Sequence, residues 1–292
     1  MKRIFLLNRF SLKDKTNDIA AYIIKAAAGT DYKIEINSLN RSTEDIIEEY
    51  KDSNSIIICV GGDGTINRTL NGIVGTNNVL GYIPYGTGND FYKSNKELLE
   101  SGISDVDLVR INDKYFINIA CFGIDADVAN ADDLVHSGGY VNSLLHTFAK
   151  YKARHLKVSI DDEVYEKDFT TVAVCNGRYY GGKFKIGTNA LLDDGLVDVY
   201  MADNMSKLKM GALILGMNKA KHEKNKAMKI VKCKKLYIES PTELTCNIDG
   251  DKLTSKSFDI EVIPHGIKVY YDQGLIDNVK QQDVQSRRKK KA

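Results

Sequence analysis

The chain has 292 residues, with 41 Lys and Arg against 39 Asp and Glu for a formal net charge of +2. A hydrophobic content of 43% excludes a disordered or fibrous chain, and the length suits about two domains. The longest apolar runs, such as Ile56–Val60, are too short for a helical membrane span, and Ile4–Leu7 after Lys2 and Arg3 is too short for a signal peptide, which points to a cytoplasmic protein. Cys59, Cys121, Cys175, Cys233 and Cys246 form no CxxC pair and read as buried reduced thiols. The five histidines show no metal spacing; His222 and His265 are the two open to a functional role. Charge is uneven. Without the basic run Arg287–Lys291 the balance is 36 basic against 39 acidic residues, and Lys219–Lys235 holds eight lysines against the single acid Glu223.

Lys2–Leu7 reads as a strand ending at Asn8. Asp18–Ala28 reads as an amphipathic helix through Ile19, Ile23 and Ile24, with Asn17 as N-cap and Gly29 as stop. Lys33–Asn37 alternates like a strand, and Ser42-Thr43-Glu44-Asp45 offers caps for a helix through Tyr50. Ser55–Val60 is β-branched and small, a strand buried on both faces. Gly61-Gly62-Asp63-Gly64-Thr65 follows, and helical spacing runs over Ile66–Val74. Strand, glycine turn and helix in that order make a phosphate-binding corner. Glycines let backbone N–H groups approach an anion, and the helix N-terminus adds partial positive charge. Asp63 would repel phosphate unless Mg²⁺ lies between them. Val79–Pro84 is the next strand, and Tyr85-Gly86-Thr87-Gly88-Asn89-Asp90 is a second glycine corner with its own acid. Residues 1 to about 100 thus alternate β and α. That pattern implies a parallel sheet covered by helices, with ligands at the carboxyl ends of its strands.

From Asp105 the pattern changes. Val106–Ile111, Tyr115–Ile119, Lys157–Ile160, Glu163–Tyr165, Thr170–Cys175, Leu196–Met201, Lys235–Glu239, Leu244–Ile248, Phe258–Ile263 and Ile267–Tyr271 all read as strands. Helical interludes fall near Val141–Lys152 and Met205–Lys219. The expected architecture is an α/β nucleotide-binding domain over residues 1–104 and a β-rich antiparallel domain over 105–272. A short helix at Leu275–Gln282 is expected to return residues 273–292 to the first domain. On the residues alone, Asp193-Asp194-Gly195 and Asp249-Gly250-Asp251-Lys252 read as polar hairpin turns.

GGDGTIN at Gly61–Asn67, followed by Pro84-x-Gly86-Thr87-x-Asn89-Asp90, resembles the diacylglycerol kinase and sphingosine kinase family of lipid kinases in its soluble bacterial form. GGDGT alone is shared with NAD kinases and, more loosely, with phosphofructokinases, so the first domain is expected to resemble theirs. Phe116–Asp127, Gly181–Val199 and Asn247–Leu253 match further family segments in the right order, with Thr188 where the pattern has proline. The first turn, N-P-x-x-G in the family, is Asn8-Arg9-Phe10-Ser11 here.

The resemblance implies ATP and Mg²⁺ as cofactors and a membrane lipid alcohol such as diacylglycerol as substrate, entering between the domains. Asn8, Gly61, Gly62, Asp63, Gly64, Thr65, Ile66, Asn67, Gly86, Thr87, Asn89 and Asp90 are the implied nucleotide contacts. Asp63, Asp90 and Asp107 are implied to hold catalytic Mg²⁺, and Asp194 with the carbonyls of Leu191 and Leu196 a structural Mg²⁺. Asp251 stands where the family carries the glutamate proposed to take the lipid hydroxyl proton. Peripheral contact with the anionic inner membrane face is implied through Lys219–Lys235 or Arg287–Lys291. Nucleic acid is not an expected partner, and a homodimer is left open. The alternatives are an NAD kinase and a catalytically silent nucleotide- or lipid-binding regulator.

Overall fold

The structure, a computed structural model, describes residues 1–123, 151–217 and 221–291. Two compact units emerge. One comprises Met1–Asn89, Leu99–Val106 and Ile267–Ala292; the other comprises Asp90–Leu98 and Asp107–Gly266.

The first unit runs β1 (Arg3–Leu7), α1 (Arg9–Leu12), α2 (Thr16–Ala26), β2 (Tyr32–Ile36), α3 (Thr43–Glu49), β3 (Ile56–Gly61), α4 (Asp63–Ile73) and β4 (Val79–Pro84). The strands pair side by side in the order β2-β1-β3-β4, each pair parallel. Ile267–Tyr271 adds to β4, also in parallel, through Val269 and Tyr270. Every residue of β3 and β4 is buried, as expected for strands covered on both faces. Phe5, Leu7, Ile19, Ile23, Ile58 and Val60 share one core with Leu275 and Val279 of the C-terminal helix Gln273–Lys291.

Three local expectations are corrected here. Asn17 lies inside α2 and does not cap it, because a 3-10 turn at Lys13–Lys15 feeds the chain into α2 already in helical geometry. The helix after the first glycine corner starts at Asp63, not Ile66, because the Gly62 carbonyl accepts the Thr65 and Ile66 N–H groups at 2.9 and 3.1 Å. Asp90 likewise opens a helix, α5 (Asp90–Leu98), and does not lie in the glycine turn. The Ser42 cap is present as a capping box with Asp45.

The second unit is antiparallel and β-rich. After α5 come β5 (Gly102–Ile111, from Asp107 on in this unit), β6 (Lys114–Phe116), β7 (Ile119–Gly123), β8 (Arg154–Ile160) and β9 (Glu163–Cys175). They are followed by β10 (Tyr179–Tyr180), β11 (Phe184–Lys185), β12 (Val197–Asp203), α6 (Lys207–Met217), β13 (Met228–Cys233), β14 (Lys235–Ile248) and β15 (Asp251–Tyr271). Its core gathers Phe116, Phe122, Phe169, Val199, Leu236 and Phe258.

Three pairs of short expected strands are single strands: β9, β14 and β15. β14 absorbs Pro241 through a register shift between Glu239 and Leu244. β15 runs through Pro264 and through His265 at φ +52°. In the opposite sense, the strand expected at Tyr115–Ile119 is broken, because the Ile117, Asn118 and Ile119 amides turn to the Asp249 carboxylate. β13 was not expected, since its lysines mask the alternation. The interlude expected at Val141–Lys152 lies outside the described residues except for its last two. No helix among the described residues is long and apolar enough to cross a membrane. All five cysteines are buried, and burial pushes the Cys59, Cys233 and Cys246 thiols up to about 12, which keeps these three unreactive.

Candidate functional site

In the first unit the carboxyl ends of β1, β2 and β3 meet in a layer of polar side chains. Asn8, 5% exposed, donates from Nδ2 to Thr65 Oγ1 at 2.8 Å, while its Oδ1 caps α1 by accepting from the Phe10 N–H at 3.1 Å. Asn37, just past β2, donates to Asn8 Oδ1 at 3.3 Å and to Thr43 Oγ1 at 3.1 Å. Asn8 thus positions Thr65, and Asn37 and Thr43 are members of the layer that motif reading missed.

The two glycine corners touch backbone to backbone. A Cβ on Gly62 would lie 3.0 Å from the Gly86 Cα, and one on Gly86 would lie 2.4 Å from the Gly62 Cα. Gly61 has no room either, since its Cβ would fall 2.5 Å from Thr65 Oγ1. Gly62 occupies the N-cap of α4 without a side-chain cap hydrogen bond, and Asp63 is the first residue of the helix. Inside α4, Ile66 and Asn67 are each 2% exposed, and Asn71 donates to the Asn67 Oδ1 at 3.2 Å. In the second corner, Asn89 at φ +53° accepts the Gly86 N–H and donates to the Gly86 carbonyl, both at 2.7 Å. Asn89 closes the loop that presents Gly86 and Thr87.

The remaining acids lie in the second unit. Asp90 accepts the Gly182 N–H on both oxygens, at 2.9 and 3.2 Å, with the Lys93 ammonium 3.8 Å away. Asp107 is fully buried and accepts the Gly195 and His265 N–H groups at 2.6 and 2.8 Å. Among the described residues, no group of three or more His, Cys, Asp or Glu is arranged to hold a metal ion. Asp63 belongs to the first unit, and Asp90 and Asp107 to the second. A single carboxylate at a helix N-terminus, such as Asp63, suits a Mg²⁺ that would arrive with phosphates, the common mode for this ion.

The loop before β12 carries Asp194, for which the resemblance implies a structural Mg²⁺. Asp194 Oδ1 accepts the Leu196 N–H at 3.1 Å, and its Oδ2 pairs with Lys232 Nζ at 2.8 Å. Lys232 also lies 3.4 Å from Asp198 Oδ2. Burial pushes the Asp198 carboxyl above its ordinary value, with Lys232 opposing. Burial also works against the Lys232 charge, but the Asp194 hydrogen bond and the Asp198 and Asp194 charges outweigh it and raise its pKa.

Asp251 is the first residue of β15. It directly follows the Asp249-Gly250 turn, whose residues have φ +49° and +86°, and faces Ile248 across the hairpin. Its Oδ1 accepts the Lys252 N–H at 3.0 Å. The hairpin is anchored by Asp249, 6% exposed, which accepts the Ile117 and Asn118 N–H groups on Oδ2 at 2.8 and 3.1 Å and the Ile119 N–H on Oδ1 at 2.8 Å. Asn118 extends this anchor, accepting from Ser94 Oγ and donating to the Tyr179 carbonyl, both at 2.9 Å. Both lie in segments that match the family, Asn118 in Phe116–Asp127 and Asp249 in Asn247–Leu253, but neither was singled out as an anchor. His222 is buried with Nε2 at 2.9 Å from the Ile186 carbonyl, a packing position.

Two family models cover the chain. The Diacylglycerol kinase catalytic domain matches residues 2–110, and the YegS C-terminal NAD kinase beta sandwich-like domain matches residues 118–271. The chain is 28% identical over 243 residues to a "Probable lipid kinase YegS-like" protein of Shewanella frigidimarina, covering 76% of this chain and 78% of that one. It is 25% identical over 232 residues to a "Diacylglycerol kinase" of Staphylococcus saprophyticus, covering 72% and 74%. The fold is that of a crystallised Bacillus anthracis diacylglycerol kinase, with TM-score 0.75 at 23% identity over 94% of this chain and 98% of that one. The glycine-packed corner and the β-rich unit are thus parts of one known architecture, and the chain belongs to the diacylglycerol kinase family of lipid kinases.

Proposed function

We propose that the protein is an ATP-dependent kinase that phosphorylates the hydroxyl of diacylglycerol or a related membrane lipid. The observation that carries this reading is the contact of Gly62 with Gly86 at the N-terminus of α4, whose N-cap is a glycine and whose first residue is Asp63. Such an end attracts phosphate through free N–H groups and the helix dipole. Phosphoryl transfer then needs positioning, charge neutralisation and a proton acceptor.

Nucleotide binding belongs to the unit built around β1–β4, and lipid recognition to the β-rich unit. Gly61, Gly62, Gly64, Thr65 and Asn67 form the phosphate cradle, and Gly86 and Thr87 meet the nucleotide. Asn8 and Asn89 hold the two corners in shape. Asp63 would hold the Mg²⁺ that comes with ATP, and that ion supplies charge neutralisation when bound. Asp251 takes the proton from the lipid hydroxyl. Asp90 and Asp107 hold loops in the lipid unit.

The substrate hydroxyl lies at a bilayer interface, so the protein docks there through basic residues. Lys221, Lys224 and Lys226 are exposed and make no ion pair among the described residues. Lys229 is engaged by Glu163 at 3.4 Å and lies 4.1 Å from the Tyr165 ring centroid, and so contributes less. The test is to offer purified protein labelled ATP with MgCl₂, a bacterial lipid extract and, separately, NAD. The reading expects label in a phospholipid product. Label in NADP, or in neither, overturns it.

A further inference from the structure

The structural Mg²⁺ implied at Leu191, Asp194 and Leu196 does not fit the side chains found there. Both Asp194 oxygens are engaged, Oδ1 by the Leu196 N–H at 3.1 Å and Oδ2 by the Lys232 ammonium at 2.8 Å. Lys232 reaches this loop by register. β13 pairs with β12 so that Lys232 and Asp198 are cross-strand partners, and the loop leads directly into β12. Its ammonium is shared with Asp198, which is 3% exposed. A divalent ion bound to Asp194 would sit against this fixed positive charge, and like charges at such range repel strongly in a half-buried site.

Asp107 ties the loop down from a second side. Asp107 accepts the Gly195 N–H at 2.6 Å and donates its own N–H to the Leu192 carbonyl at 2.7 Å, and Leu192 is buried at 1% exposure. We infer that the Lys232 ammonium is the resident cation of this loop, so that residues 191–198 hold their fold without a divalent ion. Asp194 and Asp198 carry two negative charges against this one lysine. Removing it leaves two carboxylates and nearby carbonyls, a donor set for a hard cation. The lysine therefore both supplies the charge and keeps the metal out.

The test uses full-length, nucleotide-free protein, so that Mg²⁺ accompanying ATP plays no part and the outcome is independent of the kinase reading. Wild type is expected to melt at the same temperature in EDTA and in millimolar MgCl₂, and to emerge from gel filtration without stoichiometric Mg²⁺. Lys232→Met should melt about 4 °C or more below wild type in EDTA and recover part of the loss in MgCl₂ or CaCl₂. Lys232→Arg, which keeps the charge, should stay indifferent to metal. A wild type that melts several degrees lower in EDTA, or that retains one Mg²⁺ per chain, would overturn the inference. So would a Lys232→Met protein that melts like wild type in EDTA. Should Lys232→Met fail to fold, the metal content of wild type and the Lys232→Arg melts decide the matter.

Discussion

Replacing Asp249 by Asn should destabilise the β-rich unit while keeping the carboxylate of the neighbouring Asp251. The Asp249 carboxylate accepts three backbone N–H groups, from Ile117, Asn118 and Ile119, at 2.8 to 3.1 Å. An Asn side chain keeps one acceptor oxygen and turns the other position into a donor. At least one of the three amides then loses its acceptor and faces another N–H. A buried unsatisfied donor costs about 1–3 kcal/mol, and the surviving bonds lose their charge assistance. The expected loss is about 2–4 kcal/mol, which for a unit of this size lowers the melting temperature by roughly 5–15 °C. Circular dichroism melts of Asp249→Asn, Asp251→Asn and wild type read the difference. Asp251→Asn should melt close to wild type, since its carboxylate accepts only the adjacent Lys252 N–H among the bonds found. An Asp249→Asn protein with wild-type melting would show that the carboxylate does not hold these amides.

Other consequences follow from the same geometry. Gly86→Ala places a Cβ 2.4 Å from the Gly62 Cα, backbone that cannot step aside, so it should cost about 1–3 kcal/mol and weaken ATP binding in a fluorescent-nucleotide titration; unchanged melting and affinity would refute the packed-corner account. Glu35 is buried, and although burial opposes its charge, Lys33, Tyr50 and Arg41 hydrogen bonds at 2.7, 2.5 and 2.6 Å hold its pKa down at about 2. Its contribution, up to about 3 kcal/mol, is fully present above the unfolded carboxyl pKa and is lost as pH falls through about 2. The stability gap between wild type and Glu35→Gln should therefore be constant above pH ~5 and shrink below it; a gap that persists at pH 2 contradicts this. Neutralising Lys221, Lys224 and Lys226 should reduce sedimentation with anionic vesicles at low salt, each lysine being worth about 1 kcal/mol, and the effect should fade at high salt. Deleting residues 287–292 should change it only modestly, and equal sedimentation of the triple variant at low salt would rule the lysines out.

The core strands and glycine corners were legible because their signals are local. The Ile56–Val60 run and Val79–Pro84 are buried strands that end where the glycines begin. The fate of the acids was not legible, because their partners lie far along the chain. Asp90 meets Gly182, Asp107 meets Gly195 and His265, and Asp194 meets Lys232. A spacing pattern sees an acid beside a glycine and cannot see which amide or ammonium will satisfy it. The same blindness hid Asp249, which looks like a turn residue and is a triple acceptor. Strand lengths were misjudged for a related reason. β14 and β15 run through Pro241 and Pro264, which read locally as breaks, because long antiparallel pairing carries the chain past them.

The central claim is tested most directly by steady-state turnover on diacylglycerol micelles with ATP and MgCl₂, comparing wild type with Asp63→Asn, Asp251→Asn and Asp251→Glu. The account predicts phosphatidic acid from wild type and its loss in Asp63→Asn with melting unchanged. It also predicts loss of most turnover in Asp251→Asn at nearly unchanged ATP affinity, and turnover retained or raised in Asp251→Glu. Normal phosphatidic acid formation by Asp63→Asn or Asp251→Asn, or no phosphorylated lipid from wild type on either diacylglycerol or a bacterial lipid extract, would contradict it.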